Sequence, residues 1–207
     1  MPRVSPQFGP VFSPLLIVIS GPSGVGKDSV LRELKARKLP FHFVVTVNTR
    51  APRQDESEGV DYIFISREKF EEMKTEGQLL EDAKVYNDYK GVPREQVKKA
   101  MATGKDVVMR LDVQGAATIR GVASEALLIF LTTSSEEELV ERLQERNTES
   151  STDLEMRIAT ARKEFSRVEE FDYVVVNPKD RLDEAVDQVV DIINAEHQRV
   201  HPRIVRL

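Results

Sequence analysis

Leu15-Leu-Ile-Val-Ile19-Ser20-Gly21-Pro22-Ser23-Gly24-Val25-Gly26-Lys27-Asp28-Ser29 is the stretch on which the reading of this 207-residue chain turns. The apolar run from Leu15 to Ile19 is short and unbroken, as a strand buried on both faces must be. From Lys27 to about Lys38, Val30, Leu31 and Leu34 recur on one helical face. Between strand and helix, the glycines let the backbone curl so that successive N–H groups face inward as an anion nest. The helix adds its positive end. Lys27 can bridge the outer phosphates of a nucleotide and offset charge in transfer. Strand, spacing and lysine together match a phosphate-binding loop, Gly-x4-Gly-Lys. One position departs from it. The residue after the lysine is ordinarily Ser or Thr, whose hydroxyl ligates Mg2+; here it is Asp28. Asp28 can hold Mg2+ directly or through water, or it is an acid favoured in a first helical turn. Both readings stand.

Composition narrows the rest. There is no cysteine, which excludes a disulfide scaffold, a thiolate metal site and a cysteine nucleophile. His42, His197 and His201 are scattered and give no metal-ligand spacing. A net charge of -5 argues against a general nucleic-acid binder. No apolar run approaches the roughly 18 residues of a membrane span. Residues 1–14 carry Pro2, Pro6, Pro10 and Pro14 and no secretory layout, so they read as a flexible tail. The chain is expected to be soluble, intracellular and long enough for one full core.

Outward from the loop, strands alternate with helices, which predicts an α/β fold with a mainly parallel sheet. Strands are expected at Phe41–Val47, Tyr62–Ile65, Asp106–Leu111, Ala126–Leu131 and Tyr173–Val176, with an extended Leu79–Tyr86. Ser66 is placed to cap a helix ending at Gly77, and Ser134 with Glu137 forms a capping-box pattern. Further helices are expected near Pro93, near Ala116, over Leu154–Val168 and over Leu182–Ala195. Residues 46–95 break the rhythm and read as an inserted cap. Residues 142–157 read as a second mobile piece.

Thr46-Val-Asn-Thr-Arg50-Ala-Pro-Arg53 places two arginines three apart in a loop, with Tyr62 in Gly59-Val-Asp-Tyr62 after it. Two guanidinium forks and a phenol suit a phosphate monoester gripped on several oxygens. Alone, the loop would read as a solvated basic segment. With the other motifs, however, the chain resembles the guanylate kinases from about Leu15 to Ala195. The resemblance is carried by Gly-Pro-Ser-Gly-Val-Gly-Lys at 21–27, Thr-Arg-x-Pro-Arg at 49–53, Gly-Val-Asp-Tyr at 59–62 and Leu-Leu-Glu at 79–81. It continues through Tyr-Lys-Gly-Val-Pro at 89–93, Asp-Val-Gln-Gly-Ala at 112–116 and Phe-Asp-Tyr-Val-Val-Val-Asn at 171–177.

The resemblance implies a P-loop three-layer fold. Its core would be 15–45, 96–141 and 158–207, its GMP-binding cap 46–95 and its helical lid 142–157. It implies transfer of the γ-phosphoryl of ATP to GMP, and also to dGMP, with Mg2+ accompanying ATP. Gly21, Pro22, Ser23, Gly24, Val25, Gly26, Lys27, Asp28, Ser29 and Asn177 would bind ATP. Thr46, Arg50, Arg53, Tyr62, Glu81, Lys90 and Asp112 would bind GMP. Lys27, Arg50, Arg142, Arg146 and Arg157 would act on the transferring group, and Asp28 and Asp112 are the metal candidates. Glu81 makes chemical sense as the guanine reader. Guanine offers N–H donors at N1 and N2, whereas adenine turns an acceptor toward the same carboxylate.

Several positions depart from the family pattern. Lys90 stands where a second phosphate-contacting tyrosine is usual, and Val92 where a hydroxyl often touches the base. Arg110 stands where an acid is common, two residues before Asp112. Asp28 together with Arg110 resembles the plant organellar branch. Lid arginines would bring positive charge to the spread charge of phosphoryl transfer and exclude water on closure. The competing readings are another small P-loop kinase, such as ribose 1,5-bisphosphate phosphokinase, and a non-catalytic guanylate-kinase-like binding module. Glu81 and Asp-Val-Gln-Gly-Ala weigh against the first, the intact Lys27 against the second. A monomer or homodimer is expected, in the cytoplasm, or in a plastid or mitochondrion if a transit peptide was removed.

Overall fold

The computed structural model describes residues 12–52, 56–85, 88–145 and 151–207. Strand β1 (Leu16–Ser20) is followed by the glycine loop and helix α1 (Lys27–Ala36). Strand β2 (His42–Phe43) then pairs in parallel with β7 (Val107–Arg110). Strands β8 (Leu127–Thr132) and β9 (Tyr173–Val176) complete a parallel sheet in the order β2-β7-β1-β8-β9. β1 lies at its centre, as its unbroken apolar sequence requires.

Alternation along β1 divides the interior. Ile17 and Ile19 join one cluster with Val30 and Leu34 of α1 and with Val186 and Val189 of α7 (Leu182–His197). Leu16 and Val18 join the other, with Ala116 and Ile119 of α4 (Val113–Val122) and Val97 of α3 (Arg94–Ala102). Three layers result, helices on both faces of a twisted parallel sheet. The loops after β1 and β7 leave the same sheet edge side by side, because Ile19 and Arg110 are register partners. Ligand sites in such sheets form at that carboxyl edge.

A second sheet, in the order β4-β3-β6-β5, is built from β3 (Thr46–Asn48), β4 (Tyr62–Phe64), β5 (Leu79–Val85) and β6 (Asp88–Pro93). Two of its features differ from the sequence expectation. The single strand expected over Phe41–Val47 is two strands in two sheets. Between them, the Gln96 side chain accepts from Val45 N–H at 2.7 Å and donates to Val45 O at 3.3 Å. A distant amide thus satisfies the backbone where the chain leaves one ladder for the other. β6 is the second difference. Lys90, Gly91 and Pro93 give it no strand-like alternation, yet it is bracketed by β3 and β5 and paired to both.

Helix α2 (Arg67–Thr75) starts where expected, with Ser66 Oγ accepting from Lys69 N–H. Helix α5 (Glu136–Glu145) is capped one residue later than expected. Ser135 Oγ accepts from Glu138 N–H, and Glu138 reaches back to Ser134 N–H. Helix α6 (Ser151–Phe165) follows, then a 3-10 turn at Val168–Glu170. The tail after α7 is tied down by Arg203, which donates from Nε to Glu196 at 2.7 Å.

Candidate active site

The glycine loop is shaped by steric necessity at two positions. Gly21 has φ 136°, and a Cβ there would sit 2.1 Å from Leu131 O. Gly26 has φ 90°, and its Cβ would meet the Asn177 amide at 2.4 Å. Both conformations lie in the left-handed region that only glycine occupies at little cost. Lys27 Nζ lies back over the loop, donating to Gly21 O at 2.6 Å and Pro22 O at 2.8 Å. Ser23 N–H donates to Glu164 Oε2 of α6 at 3.2 Å. The anion nest therefore already faces a carboxylate of this chain. Burial pushes the Glu164 carboxyl up from its ordinary range, against the pull of Ser23 N–H and Lys27.

Asn177 and Arg142 brace this loop from behind. Asn177 is buried, and its Nδ2 donates to Val25 O at 2.8 Å. Arg142 pairs with Glu138 and donates to Asn177 O at 2.8 Å and Val25 O at 3.4 Å. Arg142 was expected on a mobile piece. It belongs instead to α5, whose Leu139 and Leu143 are packed in the core. A cleft of about 540 Å³ opens beside Gly26, Ser29, Asn177 and Pro178. Arg157 lies half-buried on α6. Arg53 and Arg146 lie outside the described residues, as do residues 1–11 of the expected tail.

Across from the loop, alternation sorts the second sheet. Val47 faces a small core with Phe70 and Leu79, so Thr46 and Asn48 face the opposite way. Thr46 is the register partner of Tyr62 and Asn48 of Lys90, so all four share that face. Three cations converge on the Tyr62 ring: the Arg50 guanidinium at 5.2 Å, Lys90 Nζ at 5.5 Å and the Arg110 guanidinium at 5.7 Å from its centroid. Arg50 is held by both oxygens of Glu56, with Nη1 to Oε2 at 2.7 Å. Arg110 donates to Tyr62 Oη and pairs with Asp28.

Glu81 is buried at 5% exposure, against the start of α4. A Cβ at Gly115 would lie 2.8 Å from its Oε1. Burial, reinforced by the charge of Asp112, pushes its pKa up to about 8. Asp112 is the N-cap of α4, with Oδ1 accepting from Gln114 N–H at 2.9 Å and Gly115 N–H at 2.8 Å. Val92, at the position where a base-touching hydroxyl is usual, is fully buried beside Leu80 and Val97.

The sequence did not single out Glu56, Glu164 or Asn48. The two acids look like ordinary solvated charges until the fold brings them to Arg50 and Ser23. Asn48 is fully buried, its Oδ1 accepts from Arg50 N–H at 3.2 Å, and its Nδ2 has no hydrogen-bond partner among the described residues. Strand alternation opposite the apolar Val47 was the signal that could have found it.

The donor set for Mg2+ is sparse. Among the described residues no three acids or histidines cluster as a metal site. Asp28 is committed to Arg110, and Asp112 spends one oxygen on the helix cap. Mg2+ keeps several waters and sits chiefly on substrate phosphates. The residues present fit an ion carried in by a triphosphate better than one caged by protein.

Residues 13–196 match the family described as guanylate kinase. The chain is 49% identical over 204 residues to "Guanylate kinase 2, chloroplastic/mitochondrial" of Oryza sativa subsp. japonica, covering 98% of this chain and 72% of that protein. It is 40% identical over 197 residues to the guanylate kinase of Bacillus subtilis (strain 168), covering 93% and 96%. Among solved structures it is similar to guanylate kinase from Anaplasma phagocytophilum, with TM-score 0.72 and 29% identity over 91% of this chain and 88% of that one.

Proposed function

The chain belongs to the guanylate kinase family, and from that premise we propose how its residues divide the work. It catalyses ATP-dependent phosphorylation of GMP to GDP. The glycine loop and Lys27 take the triphosphate, and the cleft beside Gly26, Asn177 and Pro178 takes its nucleoside. On arrival the phosphates displace Glu164 from Ser23 N–H and draw Lys27 off Gly21 O and Pro22 O. Bound with ATP, Mg2+ would neutralise part of the triphosphate charge, and Asp112 and, through water, the loop would be the groups to assist it.

On the acceptor side, Arg50, Lys90 and Tyr62 hold the GMP phosphate, and Arg50 exchanges Glu56 for it. Thr46 and the Asn48 Nδ2 donor contact GMP. Glu81 loses its proton and accepts from guanine N1–H and N2–H. Arg53, Arg146 and Arg157 add charge over the transferring group. The acceptor phosphate is already anionic, so positioning and electrostatics supply most of the rate and no general base is needed. The observation that carries this reading is the pairing of a phosphate loop with a buried carboxylate, Glu81, placed beside the cation cluster around Tyr62. A coupled ADP-release assay with GMP, dGMP, AMP, UMP and a ribose bisphosphate tests it. Turnover with GMP and dGMP alone is expected, and turnover with AMP or the ribose bisphosphate instead overturns it.

Among the described residues no helix is long and apolar enough to cross a membrane. The expected location is the cytoplasm, with a plastid or mitochondrion, as the rice relative's name has it, the alternative. Imaging of the full-length protein fused to a fluorescent reporter decides between them.

A further inference from the structure

Arg110 occupies an unusual place. It ends β7 one strand away from Ile19, where the phosphate loop begins, so its backbone belongs to the donor side. Its side chain reaches Tyr62 on the acceptor side, donating to Oη while lying against the ring. Its other fork nitrogen pairs with Asp28, the residue directly after Lys27. A single guanidinium thus touches both halves of the site. Arg50 and Lys90 lie against the same ring. Arg50 is paired with Glu56 and Arg110 with Asp28, and a monophosphate dianion that takes the place of Glu56 beside Tyr62 would still meet the cations gathered at that ring.

Asp28 explains how Arg110 is held. Its carboxylate is exposed enough to meet solvent, yet it is turned onto the guanidinium. A Mg2+ ligated there would have to displace that guanidinium and then sit beside it, cation against cation. Guanidinium has five N–H donors in a fixed fork. With Nη2 on Tyr62 and Nη1 on Asp28, it still has donors for a phosphate oxygen.

We propose that Arg110 is a substrate-binding residue shared by the two phosphate sites, taking an oxygen of the acceptor monophosphate beside Tyr62, and that Asp28 is its anchor and not a metal ligand. The proposal rests on the GMP-phosphorylating reading above and deepens it. During transfer Arg110 lies between donor and acceptor and neutralises the charge shared by them.

The test is calorimetric binding without ATP and with Mg2+ chelated. GMP and guanosine are titrated into wild type, R110Q, R110K and D28N, each first shown by thermal melting to be folded. Loss of one charge-assisted contact predicts a GMP dissociation constant about ten- to a hundredfold higher in R110Q, with guanosine binding unchanged. R110K is expected to recover part of the loss, because it restores a point charge without the fork. D28N is expected to weaken GMP binding about three- to tenfold, and to leave the Mg2+ midpoint of turnover where it is in wild type. The proposal is overturned if R110Q binds GMP as wild type does, or if GMP and guanosine weaken equally. It is equally overturned if D28N moves the Mg2+ midpoint while GMP affinity stays put. Wild-type protein that binds no GMP takes the functional reading down with it, whereas the other failures remove the Arg110 assignment alone.

Discussion

Replacing Glu81 with glutamine separates what the site costs the fold from what it does for the substrate. Burial beside Asp112 raises this carboxyl from 4.5 to about 8. Between those two values the unfolded chain has released the proton and the native chain still holds it. Stability therefore falls as pH rises through that window, and is level below and above it. At about 1.4 kcal/mol per unit, the penalty is roughly 3 kcal/mol at pH 7 and roughly 5 kcal/mol above pH 8. Glutamine has the shape of the protonated acid and does not titrate. Glu81→Gln should thus be more stable than wild type by about 3 kcal/mol at neutral pH, with the gap closing toward pH 4.5.

The substrate sees the opposite effect. Guanine presents two N–H donors, which an ionised Glu81 accepts and a glutamine NH2 group meets donor against donor. GMP affinity should fall by about a hundredfold or more in the variant. In wild type, binding draws off the Glu81 proton, so GMP affinity should rise about fivefold between pH 7 and 8. Urea unfolding of both proteins from pH 4 to 9, with GMP titrations at matched pH, measures all of this. A stability gap independent of pH would refute the native proton on Glu81. Unaltered GMP affinity in Glu81→Gln would refute its role as the guanine reader.

Four further outcomes follow from the geometry. Lys27→Ala should lower turnover about a thousandfold or more while GMP binding without ATP stays within a fewfold of wild type; calorimetry showing comparable loss of both would dissolve the division between donor and acceptor sites. Gly115→Ala should push Glu81 from its place, since the added Cβ falls 2.8 Å from Oε1, raising the GMP KM about tenfold; an unchanged KM would remove Glu81 from the guanine contact. Asn48→Ala should raise the GMP KM about tenfold with kcat little changed, and an unaltered KM would show that Nδ2 has no part in binding. Glu196→Gln reports on the tail: against burial, which raises it, hydrogen bonds from Arg203, Tyr173 and Arg199 hold Glu196 at about 2. Wild type should lead this variant in chemical-denaturation stability above pH 4.5, with the lead lost as pH falls toward 2.

The layered fold was legible in the sequence because its signals are local. An apolar run, a glycine spacing and a helical stripe each announce themselves within about a dozen residues, and they agree with one another. What escaped depends on partners far along the chain. The split of Phe41–Val47 between two sheets turns on Gln96, and β6 owes its strand state to two neighbours rather than to its own residues. The same holds within the site. Lys27, Arg50 and Tyr62 stand out by motif, yet the pairing of the cations does not. Glu56 on Arg50 and Glu164 on the loop N–H of Ser23 look like ordinary loop or helix acids when read in sequence, and Asp28, which stands out after Lys27, reads there as a metal candidate and not as the partner of Arg110.

Those pairings also explain how an acidic chain gathers several cations at one site. Unpaired, the cations around Tyr62 and the loop would repel one another and oppose closure of the fold. Carboxylates at Glu56 and Glu164 offset that repulsion, and each sits on a donor that a phosphate oxygen would also seek. On the proposed reading a substrate phosphate would exchange one anion for another, so the cations need not be gathered at the moment of binding. Asp28 differs from these acids, because it is tied to the strand-end arginine that reaches across to the acceptor side. Exchange of Glu56 and Glu164 for substrate phosphates, with Asp28 retained on Arg110, would leave a positive set preorganised for the charge that phosphoryl transfer spreads between the two nucleotides.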